Sequence, residues 1–181
     1  MSELVWLLDR GAALVAYPAL YLAVLTGILY NAESFGVLHD AARRVHIELS
    51  VFGMLVTLLH ATLGVLDTWF VLTGSNSALT YSRPYFLGGV AVGVGALILL
   101  VVAVLGFVDA RRFSRPWGPR VVHSFAYGGF AFGTLHAAAI GTDVMGLIRP
   151  VLIPSLMFLV YVLLLRVVDL RRIVPATSTD Q

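Results

Sequence analysis

Two stretches decide the fold: residues 46–60, HIELSVFGMLVTLLH, and residues 123–136, HSFAYGGFAFGTLH. Each is an apolar run suited to a bilayer interior, and each begins and ends on a histidine. Four of the five histidines are thereby placed on two segments. An ionisable side chain at membrane depth is costly enough to mark a functional site, and imidazoles inside a helix bundle are relieved most naturally as metal or haem ligands. The two stretches therefore read as a frame for two haems.

The spacing tests that reading. At 1.5 Å rise per residue, His46 and His60 are about 21 Å apart along a helix and His123 and His136 about 20 Å, so neither pair shares one iron. Each iron must draw one ligand from each segment. If a single membrane helix intervenes, the two segments run parallel, which levels His46 with His123 and His60 with His136. Fourteen residues bring a helix back to within roughly 40° of the same side, whereas thirteen leave it roughly 140° away. The second segment thus needs supercoiling, a local distortion or a different angle of approach. Gly128, Gly129 and Gly133 lie within it, where missing side chains would admit a flat macrocycle or let the helix deform.

Composition sets the surroundings. Of 181 residues, 59% are hydrophobic and 12% charged, too few polar groups to clothe a soluble domain, so the chain is expected to be an all-α integral membrane protein with the lipid bilayer as its main partner. All twelve basic residues are arginine, and the formal charge of +2 gives no reason to expect nucleic acid. The absence of cysteine excludes disulfides, thiolate ligation and covalent c-type haem attachment. Any haem is then non-covalent and held by histidine. No G-x-G-x-x-G loop or other nucleotide fingerprint is present, so no FAD or NAD site is expected.

Along the chain, residues 1–10 read as a short N-terminal tail, 11–172 as the transmembrane haem-binding domain and 173–181 as a C-terminal tail. The start lacks the basic residues of a cleavable signal peptide, and the first hydrophobic segment is expected to be retained. Spans are predicted at 11–31, 45–66, 86–108, 121–141 and 151–168, making a five-helix bundle with the haems between helices two and four. Gly89, Gly93 and Gly95 in the third span are spaced for close helix packing. The side holding the first and third connections and the C-terminus collects Arg43, Arg44, Arg111, Arg112, Arg115, Arg120, Arg166, Arg171 and Arg172, against Arg10, Arg83 and Arg149 on the other. The positive-inside rule then puts the N-terminus outside and the C-terminus in the cytoplasm of a prokaryotic plasma membrane. His46 and His123 form the inner site, His60 and His136 the outer one.

Several other residues carry two readings. Arg43, Arg44 and Arg120 precede the inner ligands, either as topology-setting charge or as partners of haem propionates, for which guanidinium geometry is suited. Arg83 and Arg149 stand in the same relation to the outer site. Asp67 and Asp143 each follow an outer histidine by seven residues, as markers of the water boundary or as proton-handling or quinol-contacting groups. His39 has no partner at a suitable spacing and reads as a solvated loop residue. Phe125, Tyr127, Phe130 and Phe132 divide between haem packing and lipid.

Across 41–141, the run RRVHIELSVFGMLVTLLH, a plain helix, and RRFSRPWGPRVVHSFAYGGFAFGTLH together resemble the ferric reductase-like transmembrane superfamily, which includes ferric reductases, NADPH oxidases and the haem subunit of a methionine-sulfoxide reductase system. The resemblance implies that His46 and His123 ligate a cytoplasmic-side b haem and His60 and His136 an outer one, with electrons passing between them. It differs in that family members commonly have six spans and append a flavin and nicotinamide domain. The donor is therefore expected on a separate redox partner: a flavoprotein, a molybdenum enzyme or a quinol. The expected function is that of a di-haem b-type cytochrome, the electron-transfer subunit of an oxidoreductase. A quinol-linked cytochrome b subunit and a haem-free scaffold or small transporter, with the histidines as polar glue or proton relays, are the alternatives.

Overall fold

The computed structural model describes residues 2–30, 39–74, 83–108, 117–141 and 149–173, and nearly all of these are helical. The helices are α1 (Ser2–Tyr30), α2 (His39–Leu72), α3 (Arg83–Val108), α4 (Gly118–His123), α5 (Phe125–Ile140) and α6 (Arg149–Ile173). Three are long and apolar enough to cross a membrane, over Glu3–Tyr30, His39–Leu72 and Tyr85–Gly106, and Leu152–Leu165 is a shorter apolar helical stretch. The chain is a helical membrane protein.

α1 opens at Ser2, so the residues read as a tail belong to the first helix. Its apolar run continues through Leu4–Leu8, and Glu3 in the first turn complements the positive end of the helix dipole. Pro18 sits inside α1 without ending it. α2 is also longer than its apolar centre, extending from His39 to Leu72 through the charged sequence that precedes His46.

The helices pack as two antiparallel pairs, α1 along α2 and α3 along α4 and α5. The first pair is close because α1 buries a stripe of small residues, Ala12, Ala16, Ala19 and Ala23. Without a hydrophobic drive between helices in lipid, such residues permit the backbone approach on which van der Waals packing depends. Opposite them, a Cβ on Gly53 would stand 3.0 Å from Leu20 Cδ2 and 3.4 Å from the Leu20 backbone nitrogen. In the second pair, a Cβ on Gly129 would meet Leu100 Cγ at 2.8 Å and the Ala96 carbonyl at 3.1 Å. Gly128 and Gly133 also have α3 side chains as nearest neighbours. Of the three glycines expected to admit a macrocycle or let the helix deform, Gly129 is where α5 is pressed against α3, and Gly128 and Gly133 border α3 side chains at 3.5 and 4.0 Å.

Ile28, Phe130 and Leu159, from α1, α5 and α6, form the buried centre that joins these pairs. Phe130 packs against Tyr17 and Tyr21, with ring centres 5.3 and 6.2 Å away. The Tyr17 hydroxyl lies 3.2 Å from Thr134 Oγ1, and the Tyr21 hydroxyl donates to the Ser155 carbonyl at 3.0 Å. By contrast Phe125, Tyr127 and Phe132 are exposed on the surface. Of the three long apolar helices α2 is the least covered, with 6% of its apolar window buried against 33% for the α1 window and 22% for α3. Its exposed Phe52, Leu55 and Leu59 suit lipid rather than water.

The span expected over 121–141 is helical but for a one-residue interruption. α4 ends at His123 and α5 begins at Phe125, with Ser124 between them. The Ser124 amide reaches the Arg120 and Val121 carbonyls at 3.0 and 3.2 Å, and the Tyr127 amide bonds back three residues to the Ser124 carbonyl at 3.1 Å. The two bonds that reach back three residues have 3₁₀ character, while the bond to Arg120 keeps the α-helical step. The Ser124 hydroxyl donates to the Val121 carbonyl at 2.6 Å.

Candidate functional site

The four paired histidines come together as the spacing requires. The rings of His46 and His123 have centres 6.0 Å apart and an interplanar angle of 88°, and those of His60 and His136 are 5.9 Å apart at 61°. Neither arrangement is a face-to-face stack. With metal–imidazole bonds of about 2 Å and about 1.1 Å from ring nitrogen to ring centre, two imidazoles on opposite sides of one metal have centres about 6.2 Å apart. Both pairs stand at that separation.

Each imidazole is also turned by a backbone carbonyl. Nδ1 of His46 lies 2.8 Å from Ala23 O, that of His60 3.2 Å from Asp9 O, that of His123 3.4 Å from Ala103 O and that of His136 2.8 Å from Gly89 O. A carbonyl only accepts, so in each contact Nδ1 carries the proton and Nε2 the lone pair. This is the arrangement in which a ligating histidine is oriented by a neighbour and made a better donor to metal. The donor set therefore fits two bis-histidine haems. Among the described residues no three histidine, aspartate or glutamate side chains converge as a metal-binding group.

A register explains how the chain achieves this twice. His46 faces Ala23 and His60 faces Asp9, so fourteen residues forward in α2 match fourteen backward in α1. In the other pair, His123 faces Ala103 and His136 faces Gly89: thirteen residues of α4 and α5 span fourteen of α3. The turn at Ser124, with its two bonds reaching back three residues, lies inside that interval. Three residues wound at 3₁₀ rise and angle would lengthen the interval to about 21 Å and reduce its angular mismatch from about 140° to about 80°. Such winding would recover the missing residue in rise and only partly in rotation.

Glycine makes two of the seats possible. A Cβ on Gly27 would stand 2.9 Å from Cε1 of His46, and one on Gly93 would stand 2.6 Å from Nδ1 of His136. Gly93 thus serves close packing, but against an imidazole, while Gly95 has nothing within 4 Å of its Cβ position.

Arg43 and Arg44 are exposed and line a cleft with Asp40 and Ile47 at the start of α2, near the His46 end. Arg120 is exposed in α4, three residues before His123. Arg83 and Arg149 open α3 and α6, and their side chains lie outside the described residues, as does Asp143. Asp67 is buried at 8% exposure with five further helical residues after it, so it does not mark the end of α2. His39 is the first residue of α2 and its ring stacks on Tyr30 with centres 4.4 Å apart, rather than standing in a loop.

Two residues of the site escaped sequence reasoning, Asp9 and Gly27. The signal was present in the spacing: once α1 is set antiparallel to α2, stepping back fourteen residues from the neighbour of His46 reaches the neighbour of His60. No curated protein and no solved structure matches the chain. A family model matches residues 4–143, a stretch that contains both histidine pairs and excludes α6, and the chain belongs to that family, described as Domain of unknown function (DUF8596).

Proposed function

We propose that this chain is a di-haem b-type cytochrome of five membrane spans that passes single electrons between a donor and an acceptor on separate partners. The observation that carries the reading is the pair of histidine couples at metal-sandwiching distance, all four with Nδ1 on a carbonyl. Polar glue between helices accounts for single imidazole–carbonyl bonds. It gives no reason for two oriented rings from separate helices to meet twice, about four helical turns apart.

Haem b held by His46 with His123 and by His60 with His136 would supply one-electron chemistry, and ligation by two imidazoles would favour electron transfer over oxygen binding. The protein's part is positional. α2 and the α4–α5 segment bring the imidazole rings together in two pairs, while α1 and α3 hold the rings by their carbonyls. α4 and α5 together form the fourth span and α6 the fifth. Arg43, Arg44 and Arg120 are sited by sequence near the inner pair, where guanidinium groups suit propionates. With the N-terminus outside, His46 and His123 face the cytoplasmic half and His60 and His136 the outer half. The resemblance to the ferric reductase-like superfamily supports this direction of stacking, with a flavoprotein, molybdenum enzyme or quinol as the separate partner.

Protein purified from haem-replete cells tests the proposal. The expected result is a reducible b-type spectrum with two haems per chain; a colourless, folded preparation overturns it.

A further inference from the structure

The two histidine pairs are not equivalent. For His46, His123 and His136 the Nδ1 hydrogen-bond partner is a backbone carbonyl of a neighbouring helix. At His60, Asp9 brings two oxygens: its carbonyl at 3.2 Å and its carboxylate Oδ1 at 2.7 Å from the same Nδ1. Oδ1 is buried, and its approach to Nδ1 is a close charged contact rather than an aligned hydrogen bond, which His60 makes to the Asp9 carbonyl instead. Gly64, one turn beyond His60, lies beside it: a Cβ there would stand 3.6 Å from Oδ1. One carboxylate oxygen is thus held against the imidazole, while the Asp9 side chain as a whole keeps 16% exposure.

We propose that Asp9 is a positioning residue that makes the His60–His136 site electronically distinct from the His46–His123 site, giving its haem the lower reduction potential of the two. The inference rests on the haem reading above and adds to it. A carboxylate oxygen beside Nδ1–H attracts that proton electrostatically and raises the electron-donating power of Nε2. Its negative charge in a low-dielectric setting also favours the more positive, oxidised iron. Both effects act in one direction, and both are centred on one site. Second-sphere hydrogen bonding and local charge are established levers on haem potential. The consequence is a built-in difference between the inner and outer haems along the electron path.

The experiment is a potentiometric titration of the purified, haem-loaded protein, with the parent compared with Asp9→Asn, Asp9→Glu and Asp9→Ala. In the parent, two components are expected. Asp9→Asn keeps the size of the side chain and removes its charge, and is expected to raise the lower-potential component alone. Asp9→Ala is expected to move it the same way. Asp9→Glu retains the charge and is expected to leave that component closer to the parent. Electron paramagnetic resonance of the oxidised protein gives a second readout, with the low-spin signal of one haem altered and the other unchanged. Removing His136 identifies the altered component as the one it ligates. Two haems with unshifted potentials and signals in all three variants overturn the role of Asp9 and leave the cytochrome reading standing. Equal movement of both components also overturns it. Protein without haem overturns both.

Discussion

The Cβ that Gly93 lacks would occupy a point 2.6 Å from Nδ1 of His136, nearer than atoms of the two residues can approach. α3 therefore offers His136 a seat at the Gly89 carbonyl only while position 93 has no side chain. Gly93→Ala is expected to displace the imidazole and cost about 1–3 kcal/mol, the usual penalty of overpacking. The outer haem should be lost or spectrally changed while the inner one remains. Gly27→Ala should do the reverse through His46, whose Cε1 would lie 2.9 Å from the new methyl. Gly95→Ala, which meets nothing within 4 Å, serves as the control with both haems retained. Haem stoichiometry and thermal unfolding in detergent check all three.

Ligand removal should divide the histidines into the two pairs that the ring distances define. His46→Ala and His123→Ala are each expected to remove the same haem, and His60→Ala and His136→Ala the other, leaving half the parent haem content in every case. His39→Ala should retain both, because its ring is engaged with Tyr30 at 4.4 Å rather than with another histidine. Haem extraction and quantification, with absorbance spectra of the reduced proteins, measure this. Losses that cross the pairs, or four variants that keep the full content, would refute the assignment.

Much of this site is legible in the sequence because histidine spacing and helix order are one-dimensional quantities. His46 and His60 are fourteen residues apart, and parallel helices turn that interval into depth. The all-helical membrane class follows as directly from composition. What the sequence hides is what lies beside each imidazole. Asp9 sits in a stretch with Glu3 and Arg10, which reads as a polar tail, yet the intervening apolar residues and a favourable first turn are enough to extend α1 through it. Gly27 carries no chemistry of its own, and its value appears only when His46 is placed against it. Ser124 is equally silent: the need for a distortion between His123 and His136 can be computed, but three glycines advertise themselves as its source. Gly129 is pressed against α3, and bonds reaching back three residues occur near the start of the segment, at Ser124 and Tyr127.

The layer between the two histidine pairs should behave as structural support. Tyr17 and Thr134 meet there at 3.2 Å, with Phe130 packed on the tyrosine ring. Interhelical hydrogen bonds in membranes contribute about 0.6 kcal/mol on average, so Tyr17→Phe should be only mildly destabilising. Phe130 is buried at 5% exposure and touches both tyrosines, and Phe130→Ala should cost more, about 3–5 kcal/mol as for other large buried aromatics. Thermal unfolding in one detergent ranks the two. An equal or reversed order would contradict the packing described for this centre.

The turn at Ser124 gives the sharpest test of the fold's arithmetic. α3 presents its two carbonyl seats fourteen residues apart, and α4 with α5 meets them with thirteen by tightening its winding. One alanine inserted after Ser124 restores to this segment the fourteen-residue interval by which α2 carries His46 and His60. A regular helix then reaches the outer level, at about 21 Å, without the distortion. Both haems are expected to be retained. Deletion of Ser124 leaves twelve residues, about 18 Å in regular helix, and swings His136 by roughly another 100°. That variant should lose the outer haem and keep the inner one, whose ligands lie before the change. Haem content separates the two outcomes: loss on insertion with retention on deletion would mean that the turn does not set the register of His136.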